Sequence, residues 1–122
     1  MSSVGEEAFR DLVADALDSL PADLAELMDN VEVVVEDEPS PEALSRLPKG
    51  VTLFGLYHGI PLTGRSRYEG VLPDRISIYR GPIVRYARTP ERIKKQVRVT
   101  VIHEIAHHFG IGDRRLHELG WG

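Results

Sequence analysis

The chain has 122 residues, 42% of them hydrophobic, and a net charge of −4, which is the composition of one ordinary globular domain. It contains no cysteine, and this excludes a disulfide framework, a thiolate metal site and a cysteine nucleophile. No apolar run approaches the roughly 20 residues of a membrane-spanning helix, and the first residues lack the pattern of a signal peptide. We therefore expect a single soluble domain over residues 1–122, located in the cytoplasm, with no membrane partner.

The charges are distributed unevenly along the chain. Residues 1–42 hold 13 of the 19 acidic residues and one basic residue, whereas residues 43–122 carry a net charge of +8. Either the two halves fold onto each other and partly neutralise, or the basic part attracts an anionic partner such as RNA. We favour neutralisation, because basic and aromatic residues are not interleaved as in RNA-binding proteins, and we expect no nucleic-acid partner.

The acidic N-terminal region has the pattern of an amphipathic helix. Apolar residues recur at helical spacing over 9–20, and Ser3 with Glu6 has the spacing of a capping box. Pro21 interrupts this pattern, and apolar residues over 24–28 suggest a short continuation.

The middle of the chain predicts a small sheet. Three segments have the pattern of strands: 31–35, 51–57 and 75–79. A short helical turn is expected over 40–47, where Pro41 takes the first helical position. Glycine, proline and arginine residues over 59–70 predict a loop, and we expect residues 81–82 (Gly-Pro) to end the third strand.

The strongest helix signal comes next. Thr89, Pro90 and Glu91 form a typical helix start, and the helix should run to about residue 109, with Gly110 as its left-handed stop. Its apolar residues cover most of the circumference, so the helix should be largely buried. A polar strip interrupts them at steps of three and four, formed by Gln96, Thr100, His103, Glu104 and His107. A last short helix should begin at Asp113.

The polar strip contains a metal-site pattern. His103 and His107 are four residues apart, so their imidazoles lie on one helix face and can hold one Zn²⁺ together. Glu104 projects beside them, where it can hydrogen-bond a water molecule on the metal without being a ligand. Because Gly110 allows the chain to turn back, Asp113 can approach as a third ligand. Its alternative role is as an N-cap of the last helix.

Two other histidines follow the pair. His108 points about 100° away from His107, so we expect it to pack or hydrogen-bond behind the site rather than bind the metal. His117, from the last helix, is a candidate supporting group behind the ligands, oxyanion donor or alternative ligand.

The segment from His103 to Asp113 resembles the zincin signature H-E-x-x-H-x-x-G-x-x-D. The chain is similar to the small bacterial zincin-like metallopeptidase family over 55–63, 72–76 and 103–121. The resemblance implies an α+β fold, namely a minimal zincin-like fold in which a small mixed β-sheet packs against an active-site helix and supporting helices. It also implies His103, His107 and Asp113 as ligands and Glu104 as the catalytic base. The methionine turn of metzincins has no counterpart, since Met1 and Met28 both precede the signature.

These features lead to a functional hypothesis. One zinc ion would activate a water molecule, Glu104 would take its proton, and a peptide or protein substrate would be hydrolysed. Tyr57 is a second candidate oxyanion donor or supporting residue, although it could equally be a packed strand residue. The segment 75–79 is the candidate edge strand for the substrate, or an ordinary structural edge, and consists of Arg75, Ile76, Ser77, Ile78 and Tyr79.

Two other functions remain open at this point. The small size of the chain and the missing methionine turn are compatible with a zinc-binding regulatory or interaction domain that has little hydrolytic activity. The basic half of the chain motivates a metal-dependent ribonuclease, although nothing in the motif itself favours RNA.

Overall fold

A computed structural model describes residues 5–29, 31–45, 53–58 and 74–120, without the side chain of Asp113. In this part of the chain, six helices and three strands follow one another as α1 (Glu6–Asp18), α2 (Ala22–Leu27), β1 (Val31–Glu36), α3 (Pro41–Ser45), β2 (Gly55–His58), β3 (Asp74–Tyr79), α4 (Arg80–Ala87), α5 (Pro90–His108) and α6 (Asp113–Leu119). The predicted α+β class with a small mixed sheet is confirmed.

The sheet has the strand order β1-β3-β2. β1 is parallel to β3, with Val33 opposite Ile76, and β2 is antiparallel to β3, with Tyr57 opposite Ile76. Among the described strands, β3 is therefore central and β2 forms one edge.

The prediction that segment 75–79 is an edge strand is wrong. Its backbone pairs with β1 on one side and with β2 on the other, so no free edge is left for an incoming peptide. The last four residues of this segment are also buried, namely Ile76, Ser77, Ile78 and Tyr79, while Arg75 is exposed. The alternation of apolar and polar residues does not distinguish an edge strand from a central strand, because both can show it.

The core lies between the sheet and the helices. α1 contributes one apolar stripe, Phe9, Val13 and Ala16, and α5 contributes buried residues at matching helical spacing, among them Ile93 and Val97. Each fully buried side chain of this size stabilises the fold by about 1.5–3 kcal/mol. This packing fixes α5 against the molecule along its whole length.

The helix boundaries confirm several predictions and correct others. The expected break at Pro21 separates α1 from α2. The N-cap of α1 is Gly5, which makes no side-chain hydrogen bond, and Glu6 is the first residue of the helix. The predicted capping box between Ser3 and Glu6 is therefore wrong, since it requires Glu6 in the third helical position. Ser3 itself lies outside the described residues. The predicted loop 59–70 also lies outside them.

The helix α4 was not predicted from the sequence. Gly81 and Pro82 follow the end of β3, as expected, and belong to the first turn of α4. Proline is tolerated there, because the first backbone N–H groups of a helix have no partner within it. Residues 53 and 54 are not part of β2, although the predicted strand included them.

The long helix agrees closely with its prediction. The Thr89 hydroxyl accepts a hydrogen bond from the Arg92 backbone N–H at 3.3 Å, and α5 ends at His108. Gly110 has the expected left-handed φ of 71°. In the described ranges, no helix combines the length and apolar character needed to cross a bilayer.

Candidate metal and catalytic site

The C-terminal turns of α5 present the predicted polar residues on one face. His103 and His107 are both exposed and lie one turn apart, while Glu104 between them is partly buried. The opposite face, with Ile105, is packed in the core. The core contacts therefore decide which way the two imidazoles point.

The end of α5 brings the chain back over this face. Gly110 donates its N–H to the His107 carbonyl at 3.3 Å, and Ile111 donates to the Ala106 carbonyl at 2.7 Å. This pair of bonds is a Schellman ending, which requires the left-handed Gly110. It reverses the chain so that α6 begins beside the histidines.

A cavity of about 360 Å³ opens at this reversal. Three of its lining residues are His103, Glu104 and His107. The rest of the lining comes from Ala106 of α5 and from the returning chain, namely Ile111, Gly112 and Leu116. The cavity thus places two imidazoles and a carboxylate around one space.

Glu104 is held by a backbone contact from the sheet. The Tyr57 N–H in β2 donates a hydrogen bond to Glu104 Oε1 at 2.9 Å. Burial raises the pKa of Glu104 above its ordinary value of 4.5, against opposing effects of the Tyr57 N–H and of the two neighbouring histidines. A carboxylate with a raised pKa is a stronger base than one in free solvent.

β2 can reach Glu104 because it approaches α5 very closely. At Gly55, an added Cβ would lie 2.6 Å from the Thr100 methyl group and 2.9 Å from the Ser77 carbonyl oxygen. A residue without a side chain is therefore required there, and it allows the strand to lie directly against the helix.

A second polar cluster supports the site from behind. The Tyr57 hydroxyl donates to Asp74 Oδ2 at 2.6 Å, and the Tyr57 ring stacks on His108 at 4.0 Å. His108 Nε2 lies 3.8 Å from the same Asp74 oxygen. The expectation that His108 packs behind the site is confirmed. Asp74 was not singled out from the sequence, where the only signal was its place in the 72–76 stretch of family resemblance.

The remaining candidates take different positions. Tyr57 supports Glu104 through its backbone, while its single hydroxyl proton goes to Asp74. His117 is exposed on α6, and its predicted role stays a prediction.

Gly112, and not Asp113, is the N-cap of α6, so the N-cap alternative for Asp113 is wrong. Among the side chains that the structure describes, which exclude that of Asp113, no three His, Cys, Asp or Glu residues form a group placed to hold a metal ion.

The comparisons with known proteins agree with this architecture. A family model for zincin-like metallopeptidases matches residues 28–121. A solved structure, a conserved hypothetical protein from Thermus thermophilus, is similar with a TM-score of 0.57 and 28% sequence identity. The match covers 87% of this chain and 94% of that one. The search of curated proteins found no match.

The fold and the face of α5 define a small α+β protein of the zincin type. The family match covers more than half of the chain, so this protein belongs to the zincin-like metallopeptidase family. α1, which precedes the matched region, supplies part of the core that fixes α5.

Proposed function

We propose that this protein is a zinc-dependent peptidase in which Glu104 is the general base and one Zn²⁺ is held by His103, His107 and Asp113. The observation that carries the proposal is the common cavity of His103, Glu104 and His107, in which the Glu104 carboxylate is fixed by the Tyr57 N–H. Family membership supports the same reaction class.

The donor chemistry of the cavity fits zinc. Two imidazoles from consecutive turns, completed by a carboxylate, form a ligand set that zinc commonly takes in hydrolases. The part of Asp113 in this set is supported by the sequence motif and by its place at the first residue of α6, immediately after the cavity-lining Gly112. When bound, zinc supplies Lewis-acid activation of water and of a carbonyl oxygen.

Glu104 is prepared to move one proton. Its Oε1 accepts the Tyr57 N–H, and Oε2 makes no hydrogen bond within the described part of the chain. The fixed oxygen sets the orientation of the carboxylate, and the other oxygen can take a proton from an attacking water molecule. Partial burial favours this transfer because it raises the pKa of the carboxyl group.

The substrate strand is reassigned from β3 to β2. β2 is an edge of the described sheet, and its Tyr57 already contacts Glu104. An extended peptide that paired with β2 would lie beside the catalytic base, whereas β3 has no free edge. The peptide or protein substrate, the cytoplasmic location and the lack of membrane and nucleic-acid partners remain expectations from the sequence.

The test is a peptide-library digest with zinc-loaded protein, wild type against Glu104→Gln. We expect the wild type to cleave and the variant to be slower by about 10²- to 10⁴-fold, while both retain one zinc ion. Glu118→Gln is the matched control, because Glu118 lies exposed on α6 in an ion pair with Arg115.

Two results would contradict the proposal. If wild type and Glu104→Gln leave the library equally intact while both bind zinc, the zinc-binding regulatory domain becomes the better interpretation. Cleavage of RNA that depends on Glu104, without cleavage of peptides, would favour the ribonuclease.

A further inference from the structure

A row of three cavities follows one face of α5. The first, of about 420 Å³, shares Gln96 and Val99 with the second, of about 190 Å³. The second shares His103 and Glu104 with the catalytic cavity of about 360 Å³. We call this row the α5 trough; its α5 residues recur at steps that keep them on one helix face, and include Arg92, Lys95, Gln96, Val99, His103 and His107. The cavity of His103, Glu104 and His107 is therefore one end of the α5 trough.

The far end of the α5 trough carries positive charge. Arg92 and Lys95 both line the 420 Å³ cavity, and within the described ranges neither side chain makes an ion pair or a hydrogen bond. Several other surface cations are neutralised by carboxylates, as Arg85 is by Glu38 at 2.8 Å. A cation pair without a protein partner leaves this end of the trough able to accept an anionic group.

Two aromatic side chains line the α5 trough near these two cations. Tyr86 is 67% exposed and lines the same cavity, and its ring lies 5.2 Å from that of Phe54, which lines the second cavity. Exposed aromatic surface next to positive charge suits a peptide segment that ends in, or carries, a carboxylate.

We propose that the α5 trough binds an extended peptide and that Arg92 and Lys95 select a carboxylate four or five residues from the bond that is cleaved. This inference rests on the proposed function, since it describes the substrate of the same site. The spacing follows from helix geometry. Lys95 and Arg92 precede Glu104 by nine and twelve residues, about 14 and 18 Å along the axis, and an extended peptide covers about 3.3 Å per residue. The carboxylate is an acidic side chain or the C-terminus of the peptide.

Binding is tested first, with zinc-loaded Glu104→Gln protein to prevent turnover. The probes are decapeptides with an uncharged fluorophore, in three matched forms. The first contains one Asp and has an amidated C-terminus. The second has Asn in place of that Asp and is also amidated, and the third is the Asn peptide with a free C-terminus. We expect one of the carboxylate forms to bind about three- to tenfold more tightly than the amidated Asn form, and less so at high salt. Tighter binding of the Asp form identifies a side chain, and tighter binding of the free form identifies the C-terminus.

Variants assign the effect to the two cations. The double variant Arg92→Gln/Lys95→Gln, made in the same protein, should bind the carboxylate peptides and the amidated Asn peptide with nearly equal affinity. The control Arg10→Gln/Lys94→Gln removes the same charge, from α1 and from a residue of α5 that does not line the trough. The control should keep the preference. A preference that is lost equally in both double variants would indicate general charge attraction and would overturn the proposal.

Cleavage by the wild type then separates this inference from the proposed function. Peptides with Asp at successive positions on both sides of the cleaved bond should show the highest kcat/KM when Asp lies four or five residues away. Efficient cleavage without any carboxylate preference would overturn the inference and leave the peptidase intact. Carboxylate-dependent binding that Arg92→Gln/Lys95→Gln removes, with no cleavage of any peptide, would reject the peptidase and support the binding trough.

Discussion

The first and last halves of α5 pack against the same core but present different side chains to the α5 trough. The first half buries Ile93 and Val97 and exposes the cations Arg92 and Lys95. The second half buries other aliphatic residues and exposes two imidazoles, with the partly buried carboxylate of Glu104 between them. One face of α5 therefore supplies stability along its whole length, while the opposite face differs between the two halves and holds the candidate site residues. Substitutions on the two faces should therefore have separable effects.

The largest effect is expected from the imidazoles. His103→Ala or His107→Ala should abolish tight zinc binding, because each removes one of the three proposed ligands. The zinc-free stability should change little, since both side chains are exposed. Elemental analysis gives the zinc content, and thermal melts of zinc-free protein give the stability. Retention of one zinc per chain by either variant would contradict the ligand assignment.

Truncation of a side chain on the buried face of α5 should have the opposite effect, namely lower stability without loss of zinc binding. Ile105→Ala should lower the free energy of unfolding by about 2–5 kcal/mol, because Ile105 is fully buried and its loss leaves a cavity. The fraction that remains folded should still bind zinc. Urea titration measures the loss, and Leu44→Ala, at an exposed leucine of α3, is the control. Similar losses in the two variants would contradict the conclusion that the buried face of α5 stabilises the fold.

The contact between β2 and α5 links the two effects. Gly55→Ala should destabilise the protein by about 1–3 kcal/mol, since the new methyl group overlaps Thr100 and the Ser77 carbonyl. It should also slow Glu104-dependent cleavage, because any shift of β2 moves the Tyr57 N–H. Stability and kcat/KM are compared with those of Gly5→Ala, where an added Cβ has no neighbour within 4 Å. Unchanged values of both would contradict the close approach.

The smallest effect concerns the ionisation of Glu104 in zinc-free protein. Its pKa is raised in the folded state, so the folded protein binds this proton more tightly than the unfolded chain does. Stability should therefore fall, relative to Glu104→Gln, as the pH rises above 4.5 and until the folded-state pKa is passed. Urea titrations of both proteins between pH 4 and 7 measure the difference. A relative gain in stability of the wild type with rising pH would contradict the desolvation of Glu104.

Local features of the sequence predicted α5 and its ends well. The Thr89 cap, the Gly110 stop and the spacing of His103, Glu104 and His107 depend on residues within a few positions of each other. The α4 helix was missed because Gly81 and Pro82 are typical turn residues, and only their place in the first turn makes them compatible with a helix.

The position of each strand in the sheet could not be predicted in the same way. β3 was expected at an edge and is central, because β1 and β2 both pair with it from distant parts of the chain. Asp74 acquires its role only when Tyr57 and His108 both come close to its carboxylate, and the three residues are far apart in the sequence.

By itself, the sequence determined that two imidazoles and a carboxylate share one helix face, since the period of the α-helix requires it. Only the tertiary structure decided that the Tyr57 N–H reaches Glu104, which lies 47 residues further along the chain, and that β2 rather than β3 borders the site. The physical reason is that strand pairing and the approach of a sheet to a helix are set by the packing of the whole core, which short-range patterns do not specify.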